Sequence, residues 1–134
     1  MHLPTVLILG AAGRFGAVAA QAFAQSGWRV LAQMRPGRPL SAQLHPAIEW
    51  LPLDLHDRSA LLRAAQGATV VVHALNPSDY TDAAWRREVP ELAEHATGLA
   101  QALGATLMVP GNVYGYGSQL PEQLREDTPL RPDH

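Results

Sequence analysis

Glycines stand at 10, 13 and 16, directly behind Val6-Leu7-Ile8-Leu9, an apolar run that reads as a buried strand. Glycine at such positions lets the chain turn sharply, approach a ligand closely and pack the next helix against the strand. The helix that follows, Arg14 to Gln25, aims its free N–H groups and positive dipole end back at the turn, which suits a phosphate. The spacing is G-x-x-G-x-x-G. An apolar strand before it, an alanine-rich helix behind it and a second strand after Gly27 point to dinucleotide binding. A ligand-free strand–helix turn is the competing reading.

Other chemistry is bounded by what the composition lacks. There is no cysteine, which excludes disulfides, thiolate metal sites and cysteine nucleophiles. All 10 basic residues are arginine, so no mechanism here draws on a lysine of this chain. Histidines 2, 45, 56, 95 and 134 are scattered without metal-ligand spacing, and no metal centre is expected. His73 lies within an apolar strand and reads as a hydrogen-bonded structural histidine. Tyr114 and Tyr116 sit in a Gly-rich stretch near the expected cleft. Each is open to two readings, a substitute acid/base or a packing and substrate-lining residue. Trp28, Trp50 and Trp85 read as core or helix-contact residues.

The elements that must position these residues alternate strand and helix, the pattern of a parallel α/β sheet. Strands are expected at Val6–Leu9, Arg29–Met34, Ile48–Leu53, Val70–Ala74 and Thr106–Val109. Asp57 is suited to cap a helix running through Ala65 and closed by Gly67. Pro90 breaks a helix interior, so a short helix over Asp82–Arg87 and a second one beginning at Pro90 are expected. Leu92, Ala96, Leu99 and Leu103 give the second its apolar stripe. Right-handed crossovers order the sheet 3-2-1-4-5. With 134 residues, 47% hydrophobic and 16% charged, the composition is that of one globular domain. A net charge of −2 without a basic cluster gives no support for nucleic-acid binding. No apolar run reaches the ~20 residues of a membrane span, and the start lacks a basic leader. A cytoplasmic protein without membrane contact is expected.

Several segments, in this order, resemble the short-chain dehydrogenase/reductase superfamily, in its extended and atypical branches related to nucleotide-sugar epimerases. Gly10, Gly13 and Gly16 match its glycine turn. Asp54-Leu55-His56-Asp57 resembles its D-x-x-D, and Val71-Val72-His73-Ala74 its V-x-H-x-A. Gly111-Asn112-Val113-Tyr114-Gly115 resembles its V-Y-G stretch, and Thr128-Pro129-Leu130-Arg131-Pro132 its T-P-x-x-P. The likeness spans the whole chain. It implies a Rossmann-like, doubly wound parallel sheet over residues 1–110 that binds NAD(P). An irregular tail over 111–134 would lead toward a substrate-binding part that is absent here. The implied cofactor contacts are Gly10, Gly13, Arg14, Phe15, Gly16, Arg35, Asp54, Leu55, Ala74, Leu75, Asn76 and Pro110, with Asp54 on the adenine.

Arg35 ends the second strand, where NAD-preferring relatives carry an acid for the ribose hydroxyls. Arginine there suits the 2′-phosphate of NADP, with Arg14 and Arg38 assisting, against an ordinary surface arginine. NADP is therefore expected over NAD. The catalytic positions depart from the family. Its Ser/Thr falls on Pro110, its Tyr on Asp133, and its Lys beyond His134. Three readings follow: an enzyme domain handling a carbonyl or hydroxyl substrate such as a nucleotide-sugar, a non-catalytic NADP-binding sensor or regulator, or the N-terminal portion of a longer enzyme. The fifth strand would carry an open apolar edge, so self-association or a longer chain is expected.

Overall fold

The computed structural model describes residues 2–38 and 45–133; His134, counted among the histidines above, lies outside the described residues. The strands are β1 (Thr5–Leu9), β2 (Arg29–Met34), β3 (Ile48–Pro52), β4 (Val70–His73) and β5 (Thr106–Met108). They form one parallel sheet in the expected order, β3-β2-β1-β4-β5. Leu9 lies opposite His73, Ile8 opposite Ala32 and Met34 opposite Pro52. This register brings the turns that follow β1, β2, β3 and β4 to one edge of the sheet, where doubly wound folds take their ligands.

Alternation along β1 divides the core. Leu7 and Leu9 face a layer with Leu31, Leu51 and Val71, covered by Leu61, Ala96 and Leu99. These last come from the helices α2 (Arg58–Ala64) and α3 (Asp82–Leu103). Val6 and Ile8 face the other way, with Val30, Ala32 and Val72, against Ala20 and Ala24 of α1 (Arg14–Gln25). Every β1 side chain is buried, which suits the central strand of a parallel sheet. Among the described residues no helix is long and apolar enough to cross a membrane.

Several expectations need correction: β4 stops at His73 and β5 at Met108, each one residue earlier than expected. β3 stops at Pro52, because the Leu53 N–H turns back to the Leu51 carbonyl at 2.9 Å instead of continuing the ladder. More important, residues 82–103 form one helix with Pro90 inside it, not two helices. Pro90 has no N–H to give the Arg86 carbonyl, but both residues are exposed, so water can take the freed acceptor. The helix is anchored on both sides of the proline. Thr81 Oγ1 accepts the Ala84 N–H at 3.2 Å, and Ala84 is buried before it as Ala96, Leu99 and Ala100 are after it. Burial of both halves offsets a proline cost of about 3 kcal/mol.

Candidate functional site

At Gly10 the backbone takes φ 77°, open to glycine, and a Cβ there would lie 2.6 Å from the Ala74 carbonyl oxygen. Gly16 has a different task. A Cβ on it would come within 2.2 Å of the Gly10 carbonyl oxygen, so its bareness lets α1 press onto the end of β1. Gly13 is the N-cap of α1, with no side chain capping the helix and no acid in its first turn. Beyond its chain neighbours, a Cβ on Gly13 would meet only the Gly10 oxygen, at 3.4 Å, and would project into an open cleft.

That cleft has a volume of about 340 Å³, in the range of small-molecule sites. Gly10 and Gly13 line one end, Arg35 and Arg38 a second side, Asp54 and Leu55 a third, and Ala74, Leu75 and Asn76 the floor beyond β4. Eight of the twelve expected cofactor contacts therefore meet in one place. Arg14 and Phe15 are exposed on the first turn of α1 and do not line it, and Gly16 is buried beneath it. Pro110 lines a smaller adjoining cleft of about 170 Å³ with His73, Trp85 and Val109, which shares Leu75, Asn76, Pro77 and Leu92 with the first. Tyr114 and Tyr116 form a 3-10 turn, Tyr114 exposed, and neither lines either cleft.

Sequence reasoning missed the residue that ties the cleft together. Gln33 is buried on β2; its Oε1 accepts the Gly10 N–H at 2.9 Å and its Nε2 donates to the Leu53 carbonyl at 2.8 Å. The Ala11 N–H meets the Gln33 carbonyl at 2.9 Å. A polar residue inside the apolar run Val30–Met34 is the signal that could have found it. Ser78 and Glu88 were missed as well. Glu88 accepts the Ser78 N–H and hydroxyl, each at 2.7 Å, and so fastens the loop after β4 to α3. The Ser78 N–H, then its hydroxyl, hold the Glu88 carboxyl below its ordinary value.

Acid and imidazole meet on the Asp54 wall of the cleft. The Asp54 carboxyl is held low, chiefly by the His56 N–H at 2.8 Å and then by its ring. The His56 ring is pushed up, first by Glu91 and then by Asp54. His73 is different. Burial lowers it, and its Nδ1 accepts the Leu75 N–H at 3.2 Å, so the neutral ring carries its proton on Nε2. Asp133, at the family's tyrosine position, accepts hydrogen bonds from the Ser118 N–H and hydroxyl.

Solved structures share this fold. A glucuronic acid dehydrogenase from Chromohalobacter salexigens is 20% identical with a TM-score of 0.69, over 98% of this chain and 50% of that one. A uronate dehydrogenase from Agrobacterium tumefaciens is 23% identical with a TM-score of 0.67, over 99% of this chain and 50% of that one. A short-chain dehydrogenase/reductase superfamily protein from Agrobacterium tumefaciens, solved with bound NAD, is 26% identical with a TM-score of 0.66, over 97% of this chain and 40% of that one. The chain thus spans about half the length of the solved structures it matches. No match was found among curated proteins. The resemblance to atypical and extended short-chain dehydrogenase/reductases is borne out. The pattern of the NmrA-like family matches residues 3–101, and the chain belongs to that family.

Proposed function

We propose that the cleft binds a nicotinamide dinucleotide, with NADP(H) preferred over NAD(H). The observation that carries this is the bare Gly13 at the uncapped start of α1, opening onto a cleft lined by Arg35 and Arg38. The pyrophosphate would be held by backbone N–H groups at that helix start. Arg35 would meet the 2′-phosphate by charge-assisted hydrogen bonds, and Asp54 and Leu55 would contact the adenine. Dinucleotide-bound relatives such as the NAD complex above support the class of ligand. When bound, such a cofactor supplies or accepts a hydride. The test is fluorescence titration of NADPH and NADH against wild type and Arg35→Asp. NADPH is expected to bind tighter in wild type, and the substitution to weaken it by about 1.5–3 kcal/mol. Equal affinities in wild type sink the preference.

What the chain does with the cofactor rests on proton chemistry. A dehydrogenase or epimerase acting on a carbonyl or hydroxyl needs a proton donor beside the nicotinamide. The family's positions supply Pro110, which has no side-chain donor, and Asp133, a carboxyl that accepts hydrogen bonds from Ser118 in place of a phenol that could donate one. These substitutions favour the second reading, a non-catalytic NADP-binding sensor or regulator. Cofactor-dependent turnover of nucleotide-sugars or simple carbonyls by the purified chain would decide for the enzyme.

A further inference from the structure

The histidines are scattered along the sequence, yet the fold brings two of them to one glutamate. His56 lies in the turn after β3, and Glu91 and His95 sit one turn apart on the same side of α3. His56 Nε2 is 3.0 Å from Glu91 Oε1, and His95 Nε2 is 3.8 Å from the same oxygen. One donor atom from each of the three lies within 4.8 Å of the others. We propose that His56, Glu91 and His95 bind a divalent transition cation of the zinc class, with remaining positions left to water.

Three observations support the assignment. The donor set is two imidazoles and one carboxylate, a combination zinc accepts and one that disfavours the harder magnesium and calcium. The two histidine–glutamate spacings also fit. Tetrahedral zinc with ligands at about 2.0–2.1 Å separates its donors by roughly 3.3 Å, between the two distances seen here. Finally, the His56 ring is already oriented. Asp54 Oδ1 accepts its Nδ1–H at 2.9 Å and its backbone N–H at 2.8 Å, which turns Nε2 toward Glu91. A carboxylate behind a ligating histidine is the usual outer support of such sites. Without metal, His56 Nε2 and Glu91 Oε1 face each other at 3.0 Å, and the cation would sit between them. The rings of His56 and His95 meet edge to face at 4.9 Å, with His56 exposed and His95 part-buried, so small ring rotations bring both nitrogens to one ion.

Calorimetric titration of the chelator-stripped full chain with zinc chloride tests this, with magnesium chloride for comparison and no dinucleotide present. Its failure is thereby separate from any failure of cofactor binding. One equivalent of zinc is expected, with no saturable magnesium binding. His95→Ala and Glu91→Gln, both remote from the sheet core, should each weaken zinc at least about ten-fold, and Asp54→Asn by about 10–100-fold through His56. Cobalt in place of zinc should give visible absorption of tetrahedral intensity that His95→Ala removes. Absence of saturable zinc binding in wild type overturns the site. So does unchanged affinity in His95→Ala and Glu91→Gln when both retain the wild-type thermal transition.

Discussion

The side-chain oxygen of Gln33 accepts the backbone N–H of Gly10 at 2.9 Å, so the second strand holds the glycine turn that follows the first. The same amide donates to Leu53, and a single buried side chain thus ties the turns after β1 and β3 to β2 beside the cleft. Gln33→Leu removes both partners at once. Each stranded part-buried group costs up to about 1–3 kcal/mol, so a total loss of about 2–6 kcal/mol at most is expected, read as a lower urea midpoint. Dinucleotide affinity should fall with it. An unchanged midpoint would show that the turn holds itself.

Gly13 and Gly16 are predicted to separate binding from folding. Gly13→Val puts its side chain into the cleft, where only the Gly10 oxygen is near, so cofactor binding should vanish while a cooperative thermal transition remains. Gly16→Ala drives a methyl into the Gly10 carbonyl and should lower the melting temperature. Wild-type affinity in Gly13→Val would mean the turn is only structural.

The Glu88–Ser78 clasp predicts an acid-sensitive loop. The folded-state pKa of Glu88 lies below its ordinary 4.5, so its contribution is fully present above that value and is lost as pH falls through the folded one. Amide exchange of Ser78 should therefore rise, after correction for intrinsic rate, as pH drops below about 4.5. Glu88→Gln should abolish this dependence. An identical profile in the variant would place the titrating group elsewhere.

The architecture was legible because the chemistry of each strand is local: apolar runs, β-branched residues and helix-ending glycines at 27, 67 and 104 mark the elements. The helix over 82–103 was misread because a local rule about Pro90 was overridden by burial on both sides, a tertiary effect. The cleft was legible where the ligand would meet backbone, at Gly10 and Gly13. It was not legible where side chains from distant segments meet. Nothing along the chain joins Gln33 to Gly10, Ser78 to Glu88, or His56 to His95; the parallel register makes the first pair and the packing of α3 the other two.

β5 predicts association. It pairs only with β4, and among the described residues no strand takes its other edge. Met108 is 50% exposed and Val109 56%, so apolar side chains stand beside unpaired backbone groups. The tail bonds to itself instead, with the Arg131 N–H on the Gly115 carbonyl at 2.9 Å. Light scattering should show concentration-dependent self-association that Met108→Lys suppresses. A monomer at high concentration, with slow exchange in Thr106–Met108, would show that the edge needs no partner.

The central place of β1 also has a consequence in time. It is made before either neighbour, yet Val6 must wait for Val30 on one side and Val70 on the other. At about 5–20 residues per second, its second flank stays open for seconds during synthesis. For that interval the most apolar strand of the sheet is held by α1 and β2 alone, and a ribosome pausing before Val70 would prolong exposure of the segment most prone to pair with another chain.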